Sequence, residues 1–165
     1  MDKITYITPH FAVTGMPAAD DFAQLSKLGF RTVISNRPDG EEPGQMTGRE
    51  EGAIAALEGL RFAHVPVVKH DLFTDDAIDA MVAAVRNGDG PILAHCKSGL
   101  RSAILWAAAS ALPGKVDCVI NALTRAGFDL ELLRDDLQEV SERQPERAPT
   151  PALDCTEADR LPPRA

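Results

Sequence analysis

Residues 91–102 read Pro-Ile-Leu-Ala-His-Cys-Lys-Ser-Gly-Leu-Arg-Ser and hold the side chains best suited to chemistry. The apolar residues 92–94 follow a Gly-Pro break, which predicts a short buried strand. Cys96 comes next but one. Arg101 stands beyond a four-residue spacer, and residues 103–112 are helix-forming and almost wholly apolar. Strand, tight loop, cysteine and helix in that order make a thiol reactive. A helix starting here leaves its first N–H groups unpaired and turned into the loop. Those donors and the positive end of the helix dipole favour an anion. One such anion is the Cys96 thiolate, and a second is an oxyanion substrate above the sulfur. Gly99 lets the backbone turn or approach a ligand closely. Arg101 offers a forked donor matched to phosphate, sulfate or thiosulfate. Lys97, Ser98 and Leu100 supply further loop amides, and Ser102 has a hydroxyl to offer the sulfur. Lys97 either adds charge to the cradle or faces solvent. A buried core cysteine at a strand end is the alternative. The glycine and arginine at these offsets weigh against it.

The elements that must position this loop follow from periodicity. Short alternating runs at 4–7 and 11–14 around Pro9-His10 predict a hairpin or two edge strands. Phe22, Leu25 and Leu28 fall at helical spacing before Gly29. Residues 31–35 predict a buried strand, and residues 36–45 a loop rich in Gly, Pro, Asp and Glu. Thr47 or Gly48 opens a helix with Glu50 and Glu51 in its first turn and Ile54, Leu57 and Leu60 inward. Residues 61–68 predict a strand and 69–73 a polar loop. Thr74 caps a helix striped by Ile78, Met81, Val82 and Val85. After the cysteine loop, a buried helix breaks at Pro113-Gly114. Val116, Val119, Ile120 and Leu123 stripe the next helix, and Leu130, Leu133, Leu137 and Val140 the last. This alternation predicts an α/β fold: a single domain with a central, mostly parallel sheet flanked by helices on both faces. Ligands of such sheets sit beyond the carboxyl ends of the strands. Cys96, the 36–45 loop and the 69–73 loop all follow strands, so they should gather at one edge.

With 165 residues the chain suits one domain. Its 17 basic and 25 acidic residues give a net charge of −8, which argues against non-specific binding to nucleic acid or anionic membranes. Cysteines at 96, 118 and 155 suggest no disulfide framework and no zinc pattern, which suits a reducing cytoplasm. Neither a signal peptide nor a transmembrane span is expected. The domain should run over 1–140. Five of the twenty-five residues in 141–165 are proline, and apolar residues there are sparse, which predicts an extended or disordered tail.

The segment from His95 to Ser102 resembles the active loop of the cysteine phosphatase and rhodanese families. Cysteine phosphatases place five residues between Cys and Arg; this chain places four, which is more like rhodanese. Ile4-Thr5 through Gly15, the Asn36-Arg37-Pro38-Asp39-Gly40-Glu41-Glu42-Pro43-Gly44-Gln45 loop and the Cys96 loop together resemble the phosphatase-like domain of the beta-lactamase-hydrolase-like family, over about residues 3–135. The resemblance implies a tyrosine-phosphatase fold with Cys96 as nucleophile and Arg101 and the loop amides holding the oxyanion. It implies a supporting role for His95, which would keep the loop in place. Ester cleavage also needs an acid, and Asp71, 25 residues before Cys96 on a post-strand loop, is placed like the phosphatases' general acid. A solvated loop aspartate is its alternative. Arg37 either meets an acidic substrate group or pairs with Glu41 or Glu42. His64 and His70 flank the same edge without metal-ligand spacing. Three functions stay open: a cysteine-dependent phosphatase-like hydrolase, a rhodanese-like sulfurtransferase working through a Cys96 persulfide, and a non-catalytic anion-binding domain. All three take a small oxyanion or phosphorylated partner and need no cofactor or metal. The oligomeric state stays open.

Overall fold

The computed structural model describes residues 1–146, 148 and 150–162. Among these residues five strands form one sheet: β1 (Thr5–Thr8), β2 (Phe11–Thr14), β3 (Thr32–Ser35), β4 (Arg61–His64) and β5 (Ile92–His95), in the order β1-β2-β5-β3-β4. β1 and β2 form the expected antiparallel hairpin, and β2, β5, β3 and β4 run parallel. β5 is therefore central, and all four of its residues are buried, as a strand covered on both faces requires. Thr14, Ser35 and His95 lie level in the register, so β2, β3 and β5 end together.

Among the described residues six α-helices cover the sheet: α1 (Asp21–Lys27), α2 (Gly48–Leu57), α3 (Asp75–Asn87), α4 (Leu100–Ser110), α5 (Val116–Arg125) and α6 (Arg134–Arg143). Strand alternation sorts the core into two layers. Ala12, Val33 and Leu93 face a smaller cluster with Phe22 and Leu25 of α1 and Ala55 of α2. Phe11, Val13, Ile34, Ile92 and Ala94 face a larger one built with α3, α4, α5 and α6. Thr74 caps α3 through the Ala77 N–H, and Ile78, Met81, Val82 and Val85 are its buried stripe, as their spacing predicts. No helix among the described residues is long and apolar enough to cross a membrane.

Several expectations need correction. Leu57 is 85% exposed rather than inward; the buried face of α2 is Gly48, Glu51 and Ala55. The chain turns at Gly59 with positive φ, so Leu60 belongs to the lead into β4 and not to the helix stripe. The strand expected at 61–68 ends at His64. Cys118 and Cys155 form a disulfide, so the cysteine count no longer argues for a reducing compartment.

A further correction concerns 141–165, five of whose residues (147, 149 and 163–165) lie outside the described ones. The described part is not an extended tail. It folds into 3-10 turns at Pro151–Leu153 and Cys155–Arg160 and buries Ala152, Leu153, Cys155 and Ala158. The Trp106 indole N–H donates to the Ala152 carbonyl at 2.7 Å. A few apolar residues suffice here because α4 and α5 leave an apolar surface for them, which local composition does not reveal.

Candidate active site

The Cys96 loop leaves β5 between the ends of its two parallel neighbours. The Asn36 N–H bonds the His95 carbonyl at 2.8 Å, tying the end of β3 to the start of the loop. Gly99 takes a left-handed conformation, φ 92°, and α4 begins at the next residue. A side chain there would be strained, and its Cβ would stand 3.3 Å from the Thr14 carbonyl oxygen. The turn sends the Gly99 N–H back to the Cys96 sulfur at 3.2 Å. Among the described residues α4 starts over this sulfur with no acid in its first turn, whereas α1, α2, α3, α5 and α6 each carry one or two. The N-terminal field of α4 is thus left to the thiol and to whatever anion sits beside it. Cys96 is the free cysteine and is 1% exposed.

Beneath the loop lies a buried polar frame. His95 Nε2 meets Glu51 Oε1 at 2.6 Å with both side chains buried, and His95 Nδ1 has no partner among the described residues. Glu51 is a buried glutamate on the inner face of α2 because the histidine requires a partner there. The Ser102 hydroxyl, expected at the sulfur, instead donates to Asn36 Oδ1 at 2.8 Å, and Ser102 is fully buried. Asn36 Nδ2 in turn donates to the Val65 carbonyl at 3.1 Å. One buried amide therefore joins the ends of β3 and β4 to α4.

The cations stand above this frame. Arg101 Nη1 and Nη2 each donate at 2.8 Å to a different oxygen of Glu41, and Nη1 also reaches the Val67 carbonyl at 3.0 Å. The Arg101 guanidinium is pushed to a higher pKa, first by the Glu41 hydrogen bonds, with partial burial opposing them. Arg37 is buried; its Nε donates to Glu41 at 3.0 Å, and its Nη2 lies 3.3 Å from Glu42. Of the two alternatives for Arg37, the structure shows the pairing with the loop acids. Lys97 Nζ meets Glu42 at 2.7 Å. Ser98 and Leu100 are exposed at the loop rim, where the Leu100 N–H turns to Ser98 Oγ at 3.4 Å. Asp71 ends an exposed 3-10 turn, Lys69–Asp71, and its carboxylate makes no hydrogen bond or ion pair with the loop among the described residues. His64 Nε2 lies 2.8 Å from the Arg37 carbonyl, which fixes it to the 36–45 loop.

The structure therefore brings Cys96, Arg101, Lys97, Arg37 and the loop glycine to one sheet edge, with His95 behind them and Asp71 on the neighbouring turn. Sequence reasoning took Glu51 for a helix-start acid and gave Asn36 no role. Their partners are 44 and 66 positions away, so no local pattern marks them.

Residues 3–113 match the family model for the phosphatase-like domain of beta-lactamase hydrolase-like protein. A beta-lactamase hydrolase-like protein of Xylella fastidiosa strain Temecula1 is 38% identical over 130 residues, 78% of this chain and 30% of its own length. Its counterpart in Agrobacterium fabrum strain C58 is 35% identical over 114 residues, 69% of this chain and 26% of its own. The chain thus spans less than a third of the curated relatives it matches. A candidate phosphatase of Neisseria meningitidis Z2491 is similar in structure, with a TM-score of 0.72 at 29% identity, covering 83% of this chain and 97% of that one.

Proposed function

The chain belongs to the phosphatase-like domain family of beta-lactamase hydrolase-like proteins, and from that premise we propose that it is a cysteine-dependent phosphatase-like hydrolase acting through a Cys96 thiolate. The observation that carries this reading is the Gly99 N–H on the Cys96 sulfur at 3.2 Å, at the N-terminus of α4. It aims a backbone donor at the atom that would bear the charge. The sulfur attacks phosphorus of a phosphate monoester; an S–P bond forms as the P–O bond breaks. Arg101 and the loop amides stabilise the equatorial oxygens, and Asp71 gives its proton to the departing oxygen. Water then attacks phosphorus, Asp71 takes a proton back, and the thiolate and inorganic phosphate are released. Phosphate release from a monoester by the native chain and by Cys96→Ser tests this; retained release in the variant would refute it.

The four-residue spacer favours a second reading, sulfur transfer. Cys96 would attack the outer sulfur of thiosulfate, forming a persulfide as sulfite leaves with the electron pair. An acceptor thiolate then takes that sulfur and returns the Cys96 thiolate. No proton donor is needed, so Asp71 would stand idle.

A further inference from the structure

The cations of the Cys96 loop are already occupied. Glu41 grips Arg101 with both carboxylate oxygens at 2.8 Å, and Glu42 takes Lys97 at 2.7 Å. Both acids are held from behind by Arg37, which is 5% exposed and contacts Glu41 at 3.0 Å and Glu42 at 3.3 Å. The segment that carries them is braced along its length. Gln45 Nε2 donates to the Pro38 carbonyl at 2.8 Å, and Asp39 Oδ1 accepts the Gly48 N–H at 2.8 Å at the start of α2. A carboxylate seated on both Nη atoms of an arginine takes the place that two oxygens of a tetrahedral oxyanion would take. Arg101 also holds the Glu41 carboxyl below the usual glutamate range, so it remains an anion at neutral pH. The thiol it neighbours is buried, so a substrate reaches sulfur only after groups around the loop move.

We infer that Glu41 is a built-in competitor for the oxyanion position on Arg101, seconded by Glu42 on Lys97, so that a substrate enters by displacing carboxylate. The inference rests on the reading of the Cys96 loop above and deepens it by naming the class of group admitted. A singly charged oxyanion gains little Coulomb energy by replacing a singly charged carboxylate. A doubly charged one brings one negative charge more than the Glu41 carboxylate it replaces on Arg101. The site therefore selects terminal dianions, the charge shared by a phosphate monoester and thiosulfate, over diesters.

Calorimetric titration of the full chain with inorganic phosphate, thiosulfate and dimethyl phosphate, native against Glu41→Gln, tests this without relying on catalysis. Phosphate and thiosulfate should bind Glu41→Gln tighter by on the order of tenfold, since a charge-assisted contact no longer has to be broken. Dimethyl phosphate should bind detectably only to the variant. Should Glu41→Gln fail to fold, Glu41→Asp, whose carboxylate is one methylene too short to reach Arg101 from the braced segment, should shift affinity the same way. Phosphate affinity that is unchanged or weaker in the variant overturns the inference, because Glu41 would then be holding Arg101 for the substrate. Dimethyl phosphate binding the native chain as well as phosphate does the same. Tighter phosphate binding by Glu41→Gln in a chain without Cys96-dependent phosphate release would leave this inference standing and remove only the proposed activity. Cys96-dependent release with no affinity change would do the reverse.

Discussion

Cys96 draws on two neighbours in different ways: Gly99 supplies an N–H to its sulfur, and His95 is fixed by Glu51 one residue before it. Asp71, the acid proposed above, is the least tied member of the set, so it separates the two chemistries. General acid catalysis is typically worth about 10²–10⁴-fold, so Asp71→Asn should slow alkyl phosphate cleavage by that order. Sulfur transfer should be indifferent to the change. Steady-state rates on an alkyl phosphate and on thiosulfate read both, and an unchanged ester rate would mean that Asp71 is not the acid. Glu51→Ala makes a separate prediction. It leaves the buried His95 ring with neither nitrogen paired and should lower stability by about 1–3 kcal/mol in a denaturant melt. A loss below a few tenths would show that water takes over the contact. At this scale the sequence announces what is local, Cys96, Gly99 and Arg101. It is silent on Glu51 and Asn36, whose roles exist only once distant strands and helices meet.

The strand–loop–helix unit follows from the sequence because its signals are contiguous: an apolar run, a glycine and a long apolar helix. Gly99→Ala tests that geometry. A left-handed alanine costs on the order of 1–3 kcal/mol, and its Cβ would crowd the Thr14 carbonyl. The variant should fold with a lower melting temperature and have weaker phosphate binding; native-like binding would mean that the turn is not needed to aim the loop amides. The 36–45 loop is read only by composition in the sequence, because its order comes from Arg37, His64 and the helix that follows. It should also leave a mark on acid stability. Arg101 depresses the Glu41 pKa in the folded state, partial burial opposes this, and Arg37 adds to the depression. A depressed carboxylate contributes stability above its unfolded value, which is lost as pH falls through the folded one. The loss from this pair should therefore begin below about pH 4.3. Urea melts from about pH 6 to about pH 3 should show a shallower acid limb for Glu41→Gln. Identical limbs would mean that the pair adds nothing to stability.

Across the whole molecule the α/β alternation was legible because each helix and most strands carry their own period, and the two-layer core follows from which strand residues face which side. The 141–165 segment was not legible: its burial depends on Trp106 and α5, which its own composition does not encode. Cys118 and Cys155 close a loop with a sequence separation of 37. Reducing that bond should lower stability by about 3–4 kcal/mol, on the order of 10 °C in Tm for a chain of this size. Thermal melts with and without dithiothreitol check it, and equal Tm values would mean that the 3-10 turns stay docked without the bond. The most direct measurement of the central claim is a paired assay on one preparation of the native chain and of Cys96→Ser: phosphate released from a phosphate monoester beside thiocyanate formed from thiosulfate and cyanide. The account predicts that the native chain releases phosphate faster than it forms thiocyanate, and that Cys96→Ser stops the release. Phosphate release that survives Cys96→Ser, or thiocyanate formation that far outruns every ester tried, would contradict it.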